Sequence, residues 1–243
     1  TDVVIPNKIN GKSVTIIGED TFFGCSILNN IKIPEGVTSI EHAAFFACDN
    51  LKSVTIPDSV TYIGKSSFAD CESLINIIIP KKTSIIDSYA FAGCRDLTNI
   101  TIFEGVTNIG EYAFSGCSSL TSITIPKGII SIEEGTFGGC KSLLDINIPD
   151  DVTSIGDEAF SGCSSLKKIE IPEHVVNMGE YSFNECSSLA YITIPDSVTD
   201  IKKGTFSGCS SLTSITLPEK LLSIEDYTFN RCNNLKNITI PKR

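Results

Sequence analysis

The sequence predicts an α/β solenoid: about ten coils of 23 residues, a parallel β-sheet along one side, and short helical or irregular turns on the opposite side. Three observations predict it. All ten cysteines recur at one spacing, from Cys25, Cys48 and Cys71 through to Cys232. A phenylalanine stands three residues before each cysteine, from Phe22 to Phe229. A leucine stands three residues after each, from Leu28 to Leu235. Columns in phase over the whole chain describe stacked units, each burying its apolar side against its neighbours. The chain therefore reads as a single elongated domain, residues 1–243.

The amino end departs from the rhythm. Val3-Val4-Ile5-Pro6 resembles the strand of the repeat, but five extra residues then intervene before Ile17. That insertion holds Asn10-Gly11, a strong signal for a tight turn. Residues 1–14 are read as an amino-terminal cap and residues 15–241 as the repeats.

Within each coil, the segment six to eight residues after Cys alternates as I-x-I, as in Ile123 and Ile125. Period-2 alternation of β-branched residues predicts a short strand with one buried face. Proline follows (Pro34, Pro57, Pro126, Pro195) and ends the strand, because it has no N–H to give to a ladder. A V-T-x-I run comes next, with Val37, Val60 or Val152 and then Ile40, Ile63 or Ile155, and predicts a brief extended piece. The x-x-A-F-x-x-C run is too short for more than one or two turns of helix. Ala44, Ala90, Ala113 and Ala159 let neighbouring coils approach there, and Gly18, Gly64, Gly110 and Gly156 suit a bend of unusual φ/ψ. At the carboxyl end, Leu235 to Ile240 should present an unpaired strand edge, open to pairing with another chain. Thr1 in place of Met and the stop after Pro241-Lys242-Arg243 read as an excised fragment.

The unit L-x-x-I-x-I-P-x-x-V-x-x-I-G-x-x-A-F-x-x-C resembles the BspA-like leucine-rich repeat family over about residues 14–241. That resemblance implies a right-handed arc with the I-x-I strands on its concave side. It also implies a secreted or surface-exposed protein, some relatives being adhesins for extracellular-matrix or plasma proteins of a host.

Composition bounds function. Lys and Arg number 19 against 29 Asp and Glu, a net charge of −10 with pI near 4.7. Nucleic-acid binding rests on clustered cations, so this balance argues against it, and equally against an anionic membrane surface. No signal peptide or membrane-spanning run is present in the sequence. The two histidines, His42 and His174, fall at different phases and cannot be set beside a Ser or Cys nucleophile. The cysteines lack C-x-x-C spacing, and no glycine-rich phosphate loop occurs. Neither catalytic residues, a metal nor a cofactor is expected. Successive cysteines should sit about 5 Å apart at Cα, within disulfide reach. Their equal register in every coil predicts free buried thiols instead, the S–H groups meeting backbone carbonyls.

The strand positions expected to face outward lie five and seven residues after each Cys. They include Ser53/Thr55, Asn76/Ile78, Asn99/Thr101, Ser122/Thr124, Asp145/Asn147, Lys168/Glu170 and Tyr191/Thr193. Such short hydroxyl and amide chains suit exposed β positions and hydrogen-bond along a ladder. They also make a flat polar platform for a partner, with Thr101 and Thr124 at its middle and Ile78, Phe103 and Tyr191 as apolar anchors. Phe103 stands where the repeat has Pro, and by alternation it and Ile78 should point outward. Asn99-Ile100-Thr101 and Asn237-Ile238-Thr239 are glycosylation sequons.

The leading functional expectation is a non-enzymatic protein-binding domain of a secreted or surface protein, binding a host protein on its concave face. The chain is expected to be a monomer or a weak edge-to-edge dimer. The alternative is an intracellular scaffold or regulatory module fused to another domain.

Overall fold

The computed structural model describes residues 1–236 together with Ile238 and Ile240. Cys25 to Cys232 spans nine steps of 23 residues, so the solenoid has about nine complete coils. The predicted edge strand at Leu235 to Ile240 and the Asn237 sequon fall partly or wholly outside the described residues.

The coils build two parallel ladders. The first contains Asp2–Val4, Asn30–Lys32, Ser53–Thr55, Asn76–Ile78 and Asn99–Thr101, paired in register across successive coils. It resumes at Tyr191–Thr193 and Ser214–Thr216. We call this the long-strand ladder. The second runs through two-residue strands, among them Ile16–Ile17, Ser39–Ile40, Tyr62–Ile63, Ile85–Ile86 and Asn108–Ile109. It resumes with Ser131–Ile132, Ser154–Ile155 and Asn177–Met178, and again with Asp200–Ile201 and Ser223–Ile224. The V-T-x-I run, expected as an extended piece, thus pairs as a ladder of its own.

Residues Asp2–Val4 join the long-strand ladder in parallel, Asp2 opposite Asn30, so the amino end supplies a strand in phase with the repeats. The five-residue insertion forms an antiparallel hairpin of Lys8–Ile9 with Lys12–Ser13. Asn10 and Gly11 sit at its tip with φ of 50° and 79°, the left-handed pair of a tight hairpin turn.

The helical turn is not there: the described residues contain no helix. The A-F-x-x-C arm alternates its hydrogen bonds. The N–H groups of Ala43, Phe45 and Ala47 donate across to Lys65, Ser67 and Ala69 of the next coil at 2.9, 2.7 and 2.8 Å. Those of Ala44, Phe46 and Cys48 donate back three residues to Glu41, Ala43 and Phe45. A helix would keep every N–H within the segment; here half of them tie one coil to the next. The arm holds two left-handed residues per coil, such as Ala43 (φ 49°) and Ala47 (φ 53°).

The glycines at the head of this arm need correction too. Gly64, Gly110 and Gly156 are not among the residues of positive φ. They are required by close approach: a Cβ at Gly110 would lie 2.4 Å from the Ser88 nitrogen and one at Gly64 2.7 Å from the Ile40 oxygen.

The core lies between the two ladders and this arm. Phe45 through Phe206 are fully buried and stack ring on ring, with centroids 5.0 to 5.9 Å apart. Every cysteine is free, and nine of the ten are buried. Each thiol from Cys48 to Cys232 donates to the Phe carbonyl of the preceding coil, as Cys71 Sγ does to Phe45 O at 3.1 Å. The thiols thus meet carbonyls as expected, and their ladder is core.

Candidate functional site: the long-strand face

Alternation places the I-x-I isoleucines inward and their neighbours outward. Ile31, Ile77 and Ile192 are buried, whereas the residues on either side of each are exposed. The outward columns bond along the solenoid. Asn30 Nδ2 donates to Asp2 Oδ1 at 2.7 Å, Ser53 Oγ to Asn30 Oδ1 at 2.6 Å, and Asn99 Nδ2 to Asn76 Oδ1 at 3.4 Å. A bonded row of short side chains is pre-ordered, so a partner loses little side-chain entropy in meeting it.

The structure places the candidate residues unequally. Ile78 is 62% exposed and pairs across the ladder with Thr101, which is exposed beside it. Tyr191 is 55% exposed, five coils further on and opposite Ser214. Thr124 is exposed and bridges to Asn147. Phe103 differs from expectation. It lies two residues beyond the strand Asn99–Thr101 and is half-buried, at a position where Pro80 and Pro126 of the flanking coils are buried. The Lys81 ammonium lies over its ring, 5.4 Å from the centroid. Phe103 is less exposed than Ile78 and Tyr191 and lies beyond the end of its strand. Ile78, Thr101 and Thr124 thus share one stretch of face, Tyr191 stands alone toward the carboxyl end, and Phe103 sits at the edge.

Sequence reasoning passed over the stretch between Thr124 and Tyr191. There the ladder is reduced to the Thr124–Asn147 bridge, and a cleft of about 220 Å³ opens, lined by Asp145, Ile146, Asn147, Lys168, Ile169 and Glu170. The signal was present in the outward columns, where Asp145, Lys168 and Glu170 replace hydroxyls and amides with charge.

Catalytic equipment does not assemble among the described residues. His42 Nδ1 lies 3.1 Å from the Lys65 carbonyl, and His174 is exposed on a separate coil. Among the described residues, no group of three His, Cys, Asp or Glu side chains is placed to hold a metal ion. Burial pushes the Cys140 and Cys186 thiols up to about 12, which removes them as nucleophiles near neutral pH. Tyr62 is pushed up to about 12 by burial and by its hydrogen bond to Asp87, 2.6 Å away. No helix of the described residues is long and apolar enough to cross a membrane.

Coils of 23 residues, in-phase leucine and phenylalanine columns and a parallel ladder together define a leucine-rich-repeat solenoid. Among such proteins, the chain belongs to the family described as "BspA type Leucine rich repeat region (6 copies)", which it matches over residues 2–118, 84–201 and 130–243. Leucine-rich-repeat folds serve in general as non-enzymatic scaffolds for protein interaction, and proteins of the BspA type are typically surface-associated. No curated protein matches the sequence. Among solved structures, a leucine-rich repeat protein from Bacteroides ovatus is 26% identical with a TM-score of 0.51, covering 97% of this chain and 85% of its own. A leucine rich cell surface protein from Faecalibacterium prausnitzii is 28% identical with a TM-score of 0.53, over 98% and 78%. The pneumococcal vaccine antigen PcpA, 18% identical with a TM-score of 0.50 over 97% and 76%, shares the fold.

Proposed function

We propose that this domain is a non-enzymatic protein-binding module of a secreted or cell-surface protein. In this reading the long-strand face is the concave face and receives a protein partner of a host, from extracellular matrix or plasma. One observation carries it: a polar row bonded along its own length, interrupted by the half-exposed or more exposed apolar side chains of Ile78 and Tyr191. Isolated apolar and aromatic anchors on an ordered polar surface have the composition of interaction hot spots. The likeness to a cell surface protein of Faecalibacterium prausnitzii supports the location. A net charge of −10 favours partners with basic surfaces and disfavours nucleic acid.

The immobilised domain, exposed to matrix and plasma protein fractions, tests the reading. A saturable partner is expected, and retention of matrix or plasma proteins no better than on an unrelated acidic protein counts against it. Phe103→Asp, at the edge of the face and half-buried, should weaken that partner less than Ile78→Asp.

A further inference from the structure

The short-strand ladder has an outward face of its own, and its two halves differ. In the first half the leading column is an unbroken run of hydroxyls: Thr15, Thr38, Thr61, Ser84 and Thr107. Each from Thr38 onward donates to the carbonyl of its predecessor, at 3.2 to 3.4 Å. In the second half the same column alternates: Ile130, Thr153, Val176, Thr199, Leu222. Ile130, Val176 and Leu222 are 56%, 50% and 61% exposed. The apolar residues therefore recur every second coil, with a hydroxyl between.

Beside this row lies a groove of about 440 Å³. Gly156 and Gly179 line it in consecutive coils, at a position that carries Glu133 in the coil before and Lys202 in the coil after, and each sits close against the backbone of the preceding coil. Val176 and Thr199 form one side, and Asp157, Glu180, Asp200 and Glu225 supply carboxylates around it. The carboxylates are held in place: Asp157 Oδ1 accepts the Glu180 N–H at 2.7 Å, and Asp200 accepts the hydroxyls of Ser223 and Thr199 at 2.5 and 2.7 Å. Those two hydroxyl bonds hold the Asp200 carboxyl below the usual range. Among the described residues Lys202 is the one cation lining the groove, and it is paired with Glu225 at 3.1 Å.

Spacing then selects the occupant. Coils stacked at a parallel-sheet spacing put every second residue of the column about 9.6 Å apart. A polyproline II segment advances about 9.3 Å per three residues and returns to the same face each time. An extended strand returns after about 6.6 Å, and a helix after about 10.5 Å, so a helix drifts by about 2 Å across three anchors. Polyproline II also leaves its backbone groups unbonded, which suits a row with Thr153 and Thr199 between its apolar members.

We infer that the short-strand face between Ile130 and Leu222 docks a segment of another protein in the polyproline II conformation, with an apolar side chain at every third position and Lys or Arg between. The apolar chains seat beside Ile130, Val176 and Leu222, and the cations face the carboxylates of the groove. This surface is distinct from the long-strand face, and its partner need not be the same protein.

The test is calorimetric titration of the whole chain with a peptide of four Leu-Lys-Pro repeats, whose three residue types line the three faces of a polyproline II helix. Saturable binding is expected. The double variant Ile130→Thr/Val176→Thr, which extends the hydroxyl column already present at Thr153 and Thr199, should weaken it at least tenfold. Glu180→Gln should weaken it several-fold, and Ile78→Asp should leave it within twofold. Circular dichroism and melting of each variant confirm the fold, with Val176→Thr alone as the milder substitution. Failure of the peptide to saturate, an unchanged affinity in the double variant, equal binding of a Leu-Glu-Pro peptide, or tighter binding of a basic heptad-repeat helix would each overturn the inference.

Discussion

Each residue of the coil is fixed by what stacks above and below it. Cysteine fits its column because it is small, apolar and carries one weak donor, which the preceding Phe carbonyl accepts. That role was legible from spacing alone, since equal register in every coil is what a stacked core column requires and what disulfide pairing does not. Alkylation at pH 8 should therefore reach at most Cys25, which is only half-buried, whereas denaturant should expose all ten thiols; mass spectrometry counts the adducts. Burial also sets a pH dependence. Cys140 and Cys186 keep their protons in the folded chain to about pH 12, whereas an ordinary thiol of 9.0 loses its proton earlier. Between these values the unfolded chain binds fewer protons than the folded one. Stability should thus be complete below about pH 9 and fall as pH rises toward 12, read as a declining urea midpoint. The glycines were misread at this scale. Their cause is the backbone of the neighbouring coil, which one coil's sequence does not display. Gly110→Ala, forced against Ser88 and Asp87, should cost about 1–3 kcal/mol or more in urea unfolding.

At the scale of elements, the long strands were readable because period-2 alternation is a local signal, and the hairpin because Asn10-Gly11 demands left-handed φ. The A-F-x-x-C arm was not readable. Its turns of three residues look like a fragment of helix, and what distinguishes them is that alternate N–H groups cross to the next coil. The V-T-x-I run likewise pairs only once neighbours are stacked beside it. Because each coil contacts only its neighbours, a defect in the middle interrupts the array more than one at an end. Phe137→Ala, fully buried between Phe114 and Phe160, should cost about 3–5 kcal/mol, whereas Phe22→Ala, half-buried at the first coil, should cost less. Chemical denaturation of the two variants compares them directly.

For the whole molecule, the fold was carried by the repeat and the site only in part. Ile78 and Tyr191 stand out because their columns are otherwise small and polar, a contrast visible in the sequence. Phe103, expected to point outward, is half-buried at a proline position beyond the end of its strand. The cleft at Asp145 to Glu170 was hidden because residues 145–147 and 168–170 keep the alternation of a strand while the ladder there is only bridged. A polar face with two apolar anchors five coils apart, about 24 Å at sheet spacing, suits a partner that spans much of the solenoid. Such a surface draws most of its affinity from the anchors and its specificity from the polar rows between them. The most direct measurement is the affinity of a captured matrix or plasma protein for the domain and for its Ile78→Asp/Tyr191→Asp variant, whose exposed substitutions leave the core intact. A loss of tenfold or more in the folded variant is the predicted result; an unchanged affinity would contradict the assignment of binding to the long-strand face.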